Sequence, residues 1–169
     1  MKRRKFLRKS SGAISLALLF DWMNQRRGAL AQEPGEVKLP ANLERLLAEL
    51  EKTQHLYYNV PRPDGQFLNL LVKVSRARRV LEIGTANGYS GIWLSLGLEE
   101  TDGRLSTIEI SPELVRTAKE NVRRAGLARR VEFLEGDAHQ VLTKVDGPFD
   151  LVFIDAELGG KMDYFQKIY

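Results

Sequence analysis

The chain has 169 residues, of which 43% are apolar and 28% charged, a composition that supports one globular domain with a hydrophobic core. It contains no cysteine, which excludes disulfides and thiolate metal sites. The net charge of +4 comes from residues 1–31, where eight basic side chains face one acidic side chain, so the remainder carries about −3. Because the basic excess lies outside the predicted folded part, the charge pattern argues against nucleic-acid binding.

Residues 1–31 have the order of a targeting segment. Arg3 and Arg4 lie in a basic start, an apolar run covers residues 12–20, and a small-x-small cleavage pattern ends at Ala31. The order Arg-Arg-x-Phe-Leu resembles the twin-arginine export signal of bacteria, with Lys2 where Ser or Thr is usual. We therefore expect export to the periplasm, or a cytoplasmic protein if the leader does not function. The apolar run is too short for a stable membrane span, which needs about 20 residues.

The composition changes again after the leader. Residues 32–40 contain two prolines, a glycine and scattered charge, which predicts a linker before a folded domain at 41–169. Two amphipathic helices are predicted to open that domain. The first has an apolar face of Leu43, Leu46, Leu47 and Leu50. The second follows a break at 61–65, with Asp64 as its N-cap and an apolar face of Phe67, Leu68, Leu71, Val72 and Val74.

From residue 79 onward, apolar strands alternate with helical segments. The predicted strands are RVLEIG, GRLSTIEI, RRVEFLEG and FDLVFIDA. This alternation predicts an α/β fold, a Rossmann-like doubly wound sheet of which four parallel strands are present. In such sheets the ligand binds at the carboxyl ends of the strands, where the strand order reverses. The residues at those ends are Glu82 and Gly84, Glu109, Gly136 and Asp137, and Asp155.

The stretch VLEIGTANGYSG, residues 80–91, joins a strand to a helix through a glycine turn. A dinucleotide fingerprint needs G-x-G-x-x-G, but its second glycine is Ala86 here, which weakens a nicotinamide oxidoreductase without excluding it. The spacing from Glu82 to Gly88 suits a ligand whose carboxylate meets helix amides and whose cation lies near an acid. Glu109 suits the two hydroxyls of a ribose. These features together describe S-adenosylmethionine.

The segments GQFLNLLVKVSRARRVLEIGTANGYSGIWLSLGL, IEISPE, EGDA and FDLVFIDAE resemble the cation-dependent O-methyltransferases of the caffeoyl-CoA and catechol type. The resemblance covers about Leu56 to Tyr169. It implies the class I methyltransferase fold, S-adenosylmethionine as cofactor and a divalent, magnesium-like cation. It also implies methyl transfer to a hydroxyl of a small aromatic, catechol-like acceptor, and it leaves a homodimer open.

The resemblance also implies roles for individual residues. The predicted cofactor-binding residues are Val60, Glu82, Gly84, Thr85, Gly88, Ser90, Glu109, Asp137, Ala138 and Asp155. Within this set Glu109 would hold the ribose, and Asp137 with Ala138 would flank the adenine. Asp155 would lie close to the sulfonium as the catalytic residue and would also be a ligand of the divalent metal.

Two features depart from the family pattern. The family's further strands and its other two metal ligands, an Asp and an Asn, would lie beyond Tyr169, so we expect either a fragment or a degenerate copy. Leu158 stands where the family has a lysine proposed to assist deprotonation of the substrate, and Lys161 could replace it only from a shifted loop. His139 is predicted to be partly exposed and not catalytic. A non-catalytic S-adenosylmethionine-binding module therefore stays open beside the enzyme, with the oxidoreductase less favoured.

Overall fold

The structure is a computed structural model that describes residues 38–156 and 160–168. The predicted leader, most of the predicted linker and Leu158 lie outside the described residues. From Leu39 onward the described residues belong to one compact unit. None of the helices described is both long and apolar enough to cross a membrane.

Four parallel strands form one sheet in the order β3-β2-β1-β4. Their bounds are β1 Arg79–Ile83, β2 Arg104–Glu109, β3 Val131–Glu135 and β4 Leu151–Ile154. The chain adds β2 and β3 on one side of β1, then crosses back and adds β4 on the other side. The strand order therefore reverses between β1 and β4, which confirms the predicted α/β sheet of four parallel strands.

Helices cover the sheet and precede it. Among the described residues the α-helices are α1 Ala41–Lys52, α2 Gln54–Tyr57, α3 Arg62–Ser75, α4 Tyr89–Thr101, α5 Pro112–Arg124, α6 Ala138–Val141 and α7 Lys161–Ile168. Two short 3-10 helices, Ala128–Arg130 and Leu142–Lys144, precede β3 and β4. The two predicted leading helices are α1 and α3, with the one-turn α2 between them. The predicted N-cap of α3 is wrong, because this helix begins at Arg62 after Pro61 and Asp64 lies in its first turn. Pro63 fits there, since the first turn needs no backbone donor.

The buried face of α3 also differs from the prediction. Its buried residues are Gly65, Leu68, Asn69 and Val72. Phe67 and Val74, predicted to face inward, are 57% and 67% exposed. The face is rotated because α3 approaches α4 closely, so that small and polar residues take contact positions. Asn69 Nδ2, for example, donates a hydrogen bond of 3.2 Å to the carbonyl oxygen of Trp93.

The contact between Gly65 and Trp93 gives a test of this packing. A β-carbon at residue 65 would lie 2.3 Å from Trp93 Cδ1, and the Trp93 side chain is fully buried. In an open helix, alanine is favoured over glycine by about 1 kcal/mol. Here we expect Gly65→Ala to lower the free energy of unfolding by about 1–3 kcal/mol, because overpacking forces the ring to shift. Urea denaturation measures the change.

The control for this prediction is Val74→Ala, on the exposed side of the same helix. It should change the free energy of unfolding by less than about 0.5 kcal/mol, as exposed substitutions generally do. A Gly65→Ala protein that is as stable as the parent, or more stable, would contradict the close packing of α3 on α4.

Helix α1 packs where α4 begins. Its predicted apolar face of four leucines is buried, and it contacts Tyr89, Trp93 and Val122 in one hydrophobic cluster. Helix α5 begins after Ser111, whose Oγ accepts a hydrogen bond from the Leu114 amide at 3.4 Å. The start of α4 is therefore fixed by α1 on one side and by α5 on the other.

Candidate functional site

A cavity of about 710 Å³ opens at the carboxyl ends of the strands. All four strands contribute to it, through Gly84 and Thr85 after β1, Glu109 at the end of β2, Gly136 and Asp137 after β3, and Asp155 after β4. Residues 56–60, between α1 and α3, form another part of its wall. The volume lies in the range of small-molecule sites, about 300–1,000 Å³. The structure thus brings most of the predicted site residues together.

The glycine turn places backbone at the cavity wall. Gly84 has φ +97°, and an added β-carbon would lie 2.4 Å from the carbonyl oxygen of Asp155. Ala86 also adopts a left-handed conformation, with φ 46°. Gly88 has φ +87° as the N-cap of α4, and its added β-carbon would be 3.2 Å from Ala118. Gly88 does not line the cavity, so its place in the structure is at the start of α4 and in the contact with α5.

Glu109 presents a fixed carboxylate to the cavity. Its side chain is only 8% exposed. The Ala86 amide donates to Oε2 at 3.0 Å, and the Ser111 amide donates to Oε1 at 2.9 Å. Because an ionised carboxylate accepts about four hydrogen bonds, each oxygen keeps capacity for a further donor. Two neighbouring hydroxyls on a ligand could each donate a hydrogen bond to one of these two carboxylate oxygens.

Glu82 lies beneath the turn and not in the cavity wall. It is fully buried, and the hydroxyls of Ser90 and Thr107 donate to Oε1 and Oε2, each at 2.6 Å. Burial raises the pKa of Glu82 to about 7, against the lowering effect of the two hydroxyl donors, and the charges of Asp155 and Glu109 raise it further. Ser90 does line the cavity, so Glu82 reaches the site through Ser90.

The raised pKa of Glu82 makes stability depend on pH. An unfolded glutamate has a pKa of about 4.3, so between about pH 4.3 and 7 the folded protein holds a proton that the unfolded chain has lost. The contribution of Glu82 is therefore most favourable below pH 4.3, falls as the pH rises to about 7, and is constant above that. The pKa of about 7 corresponds to a change of about 3–4 kcal/mol.

Glu82→Gln, which cannot ionise, isolates this effect. We expect the free energy of unfolding of the parent, minus that of Glu82→Gln, to fall by about 3–4 kcal/mol between pH 4.3 and 7. Urea denaturation at four or five pH values gives the difference. A difference that stays flat across this range would show that the folded-state pKa of Glu82 is not raised.

The residues predicted to flank an adenine line the far side of the cavity. Asp137 is the N-cap of α6, with Oδ1 accepting from the His139 amide at 2.9 Å, and Ala138 is buried behind it. The His139 ring lies against Tyr164, with ring centroids 4.6 Å apart, and its Nδ1 pairs with the carboxylate of Asp163. His139 is partly exposed, as predicted, but it also lines the cavity together with Tyr164.

Sequence reasoning also missed part of the cavity wall. The lining residues to which it gave no site role include Leu56, Tyr57, Tyr58, Asn59, Ile83, Ala86, Ile108, Ile110, Leu114, Ala156 and Tyr164. Only for residues 56–60 did the sequence offer a pattern that could have predicted a place in the cavity wall. There, aromatic and apolar side chains occur in a segment without helical periodicity. Val60, which was predicted, lies in that same segment.

Asp155 follows β4 and is exposed in the cavity wall. A magnesium-like ion takes about six oxygen ligands. Within residues 38–156 and 160–168, no group of three acidic or histidine side chains could hold a metal ion. Asp155 is thus a single carboxylate, and the described residues do not form a complete metal site.

Lys161 begins α7 and does not line the cavity, so the structure gives no support for its replacing the lysine absent at Leu158.

A sequence model described as O-methyltransferase matches residues 36–169. The chain belongs to this O-methyltransferase family. The match covers most of the chain, including every residue that lines the cavity. The family predicted from the sequence motifs is therefore confirmed.

Two curated relatives of this O-methyltransferase-family chain are catechol O-methyltransferases. That of Mycobacterium tuberculosis is 47% identical over 108 residues, which cover 63% of this chain and 49% of the relative. That of Niastella koreensis is 41% identical over 106 residues, which cover 60% and 48%. The chain spans about half the length of these curated relatives.

Solved structures share the fold. An O-methyltransferase from Bacillus cereus, in complex with SAH, is 34% identical with a TM-score of 0.69, covering 87% of this chain and 66% of that chain. The O-methyltransferase TomG from Streptomyces achromogenes, in complex with SAM, is 34% identical with a TM-score of 0.68, covering 87% and 65%. The predicted Rossmann-like methyltransferase fold is therefore confirmed.

Proposed function

We propose that the cavity binds S-adenosylmethionine (SAM), and that the chain is the cofactor-binding part of an O-methyltransferase acting on a hydroxyl of a small, catechol-like aromatic. The observation that carries the proposal is the buried Glu109 carboxylate, which two backbone amides aim at the cavity. The relatives named catechol O-methyltransferase, and the neighbours in complex with SAM and SAH, support the same assignment.

The nucleoside end of the cofactor is assigned to β2 and β3. Glu109 accepts hydrogen bonds from both ribose hydroxyls, since each of its oxygens has capacity beyond its amide donor. Asp137 and Ala138 flank the adenine, with the His139 and Tyr164 rings as neighbouring apolar surface. The aromatic wall suits a flat base, because stacked or tilted rings attract each other.

The methionine end is assigned to β1, β4 and the start of α4. Gly84 and Thr85 give close approach to backbone, and Ser90 lies in the first turn of α4, where backbone amides favour a carboxylate. Asp155 places a negative charge at the switch point, where it would attract the sulfonium. When bound, the cofactor supplies an electrophilic methyl group, and these residues hold it in line with the acceptor.

The acceptor is assigned to the outer part of the cavity. Leu56, Tyr58 and Ile110 line the cavity and are 62%, 88% and 68% exposed, so apolar surface is open to a flat ring. A divalent cation is part of the proposal only through Asp155. Because the described residues do not complete a metal site, no step of the reaction is assigned to a metal.

Calorimetry and a transfer assay on the full chain test the proposal. SAM and SAH should each bind with one site, whereas NADH should not bind. Methyl transfer from labelled SAM is then measured with catechol, with and without Mg²⁺, against phenol, which lacks the second hydroxyl. Transfer to catechol supports the enzyme; cofactor binding without transfer favours the non-catalytic module. Binding of NADH in place of SAM would contradict both and favour the oxidoreductase.

We also propose that residues 1–31 direct twin-arginine export. This proposal depends on the order of basic, apolar and small residues in the leader. N-terminal sequencing of periplasmic protein should find a mature end after Ala31. Soluble cytoplasmic protein that keeps Met1 would overturn it.

A further inference from the structure

Residues 53–61 connect α1 to α3 and form one side of the cavity; we call them the lid segment. Five of them, residues 56–60, line the cavity, yet α2 within the segment has no buried residue. Its side-chain hydrogen bonds stay within the segment or reach back to the end of α1: Gln54 Nε2 donates to the Asn59 carbonyl at 3.0 Å, and Thr53 Oγ1 and Asn59 Nδ2 both donate to the Leu50 carbonyl, at 3.0 and 3.4 Å. A segment with so little burial needs other contacts to keep one position.

An ion pair joins the two ends of the lid segment. Glu51 lies in the last turn of α1, just before the segment, and Arg62 is the first residue of α3, just after it. Arg62 Nε donates to Glu51 Oε1 at 2.8 Å, and Arg62 Nη2 donates to Oε2 at 3.3 Å. Arg62 Nη1 also pairs with Glu44 at 2.7 Å. The planar guanidinium thus fixes both the distance and the angle between the ends of the segment.

Tyr89 links this ion pair to the site. Its hydroxyl donates to Glu51 Oε1 at 2.6 Å, while its ring is buried at the start of α4, next to Ser90 in the cavity wall. Burial and the Glu51 carboxylate raise the pKa of the Tyr89 phenol, so it stays a hydrogen-bond donor at neutral pH. One carboxylate oxygen therefore joins α1, α3 and the cavity end of α4.

We propose that Glu51, Arg62 and Tyr89 form a clamp that holds the lid segment over the cavity and so slows release of the bound cofactor. They are positioning residues, because none of the three lines the cavity. The part concerning cofactor release rests on the proposed function. The part concerning the position of the lid segment does not, since it follows from contacts between residues of the chain itself.

A second ion pair on α1 provides a matched control. Glu49 pairs with Arg124 of α5 at 2.5 Å and joins α1 to the body of the protein without touching the lid segment. Glu49→Gln and Glu51→Gln remove the same charge from the same helix, two residues apart. Tyr89→Phe removes only the hydroxyl and leaves the buried ring in place.

Hydrogen–deuterium exchange on the full chain without ligand tests the clamp. In Glu51→Gln and in Tyr89→Phe, amides of residues 54–60 should exchange about tenfold faster, while amides in the middle of α4 keep their rates, as local opening requires. Glu49→Gln should exchange as the parent does. Unchanged exchange at 54–60 in both variants would overturn the clamp, and so would equal acceleration throughout α4, which would mean global destabilisation.

Dissociation of SAH, measured by stopped flow, tests the consequence for ligand release. The dissociation rate should rise about tenfold in both clamp variants, with the association rate within about twofold of the parent, because affinity changes appear mainly in dissociation. Faster lid exchange with an unchanged dissociation rate would overturn the role in release. A parent chain that does not bind SAH, with faster lid exchange in the variants, would support the clamp and overturn the proposed function.

Discussion

Glu109→Gln is expected to weaken SAM binding by about a hundredfold or more. The glutamine oxygen can accept from only one of the two amides that now hold Glu109, the Ala86 and Ser111 N–H groups. The glutamine NH₂ then faces the other amide, donor to donor, and offers the ribose a donor where an acceptor is needed. Two hydrogen bonds to a charged group contribute about 1.5–3 kcal/mol each, so loss of about 3 kcal/mol or more gives this factor.

Calorimetry at 25 °C measures this effect, and Glu113→Gln is its control. Glu113 is an exposed acid in the first turn of α5, so its substitution removes one charge near the site without touching the carboxylate that faces the cavity. It should change affinity by less than about twofold, given the weakness of exposed charge effects. Equal affinity of the parent and Glu109→Gln would refute the ribose assignment.

A ligand analogue sharpens the assignment. SAH without its 2′-hydroxyl should bind the parent more weakly than SAH does, but Glu109→Gln should barely distinguish the two. This non-additivity is the signature of a direct contact between the two altered groups. A constant loss in both proteins would place the ribose hydroxyl elsewhere.

Gly84→Ala is expected to lower the free energy of unfolding by about 3–5 kcal/mol, near the upper end for single substitutions. The new β-carbon would overlap the Asp155 carbonyl oxygen at 2.4 Å, and φ +97° is unfavourable for any side chain. Neither the backbone after β1 nor the backbone after β4 can shift easily, because both are held by hydrogen bonds of the sheet. The Gly84 amide is bonded to the Ile108 carbonyl and the Asp155 amide to the Ile83 carbonyl, each at 2.9 Å.

Gly126→Ala separates the two causes of the expected loss at Gly84, which are the overlap of the β-carbon with another backbone and the unfavourable positive φ. Gly126 also has a positive φ, +79°, but no atom lies within 4 Å of its added β-carbon. Only the conformational cost of about 1–2 kcal/mol applies there. Thermal or urea unfolding of both variants should therefore differ by about 2 kcal/mol or more. Similar losses at the two positions would mean that the β1 and β4 backbones are not in close contact at the switch point.

The sheet and its ligand end could be predicted because they depend on local pattern. Strands and helices alternate in the sequence, and strong boundary signals such as Ser111 before Pro112 fix where elements start. Parallel strands bring their carboxyl ends together, which is enough to place Glu109, Asp137 and Asp155 around one cavity.

The position of Glu82 could not be predicted from its place near a strand end. Side chains alternate along β1, so Glu82 shares the face of Val80, whereas Leu81 and Ile83 face the cluster under α6 and α7. The Val80 face is covered by α4, and there Ser90 meets the Glu82 carboxylate. The sequence shows that side chains alternate between the two faces of β1. It does not show which of those faces α4 covers.

The rotated face of α3 and the contacts of Glu51 also could not be predicted from the sequence. Hydrophobicity favoured Phe67 and Val74 as inward residues, but the close approach of two helices at Gly65 outweighs it. The hydrogen bond between Glu51 and Tyr89 joins residues that are 38 positions apart. Such a contact depends on the crossing of α1 and α4, which no local pattern records.

The strand order determines where a further strand could pair with this sheet. Among the described residues β4 pairs with β1 only, so its other edge carries backbone donors and acceptors that a further strand could meet. Strand addition extends a sheet sideways, across the strands, whereas the cavity opens lengthwise, at their tips. The two directions are perpendicular, so a strand paired with this edge of β4 would lie beside the cavity and not across its opening.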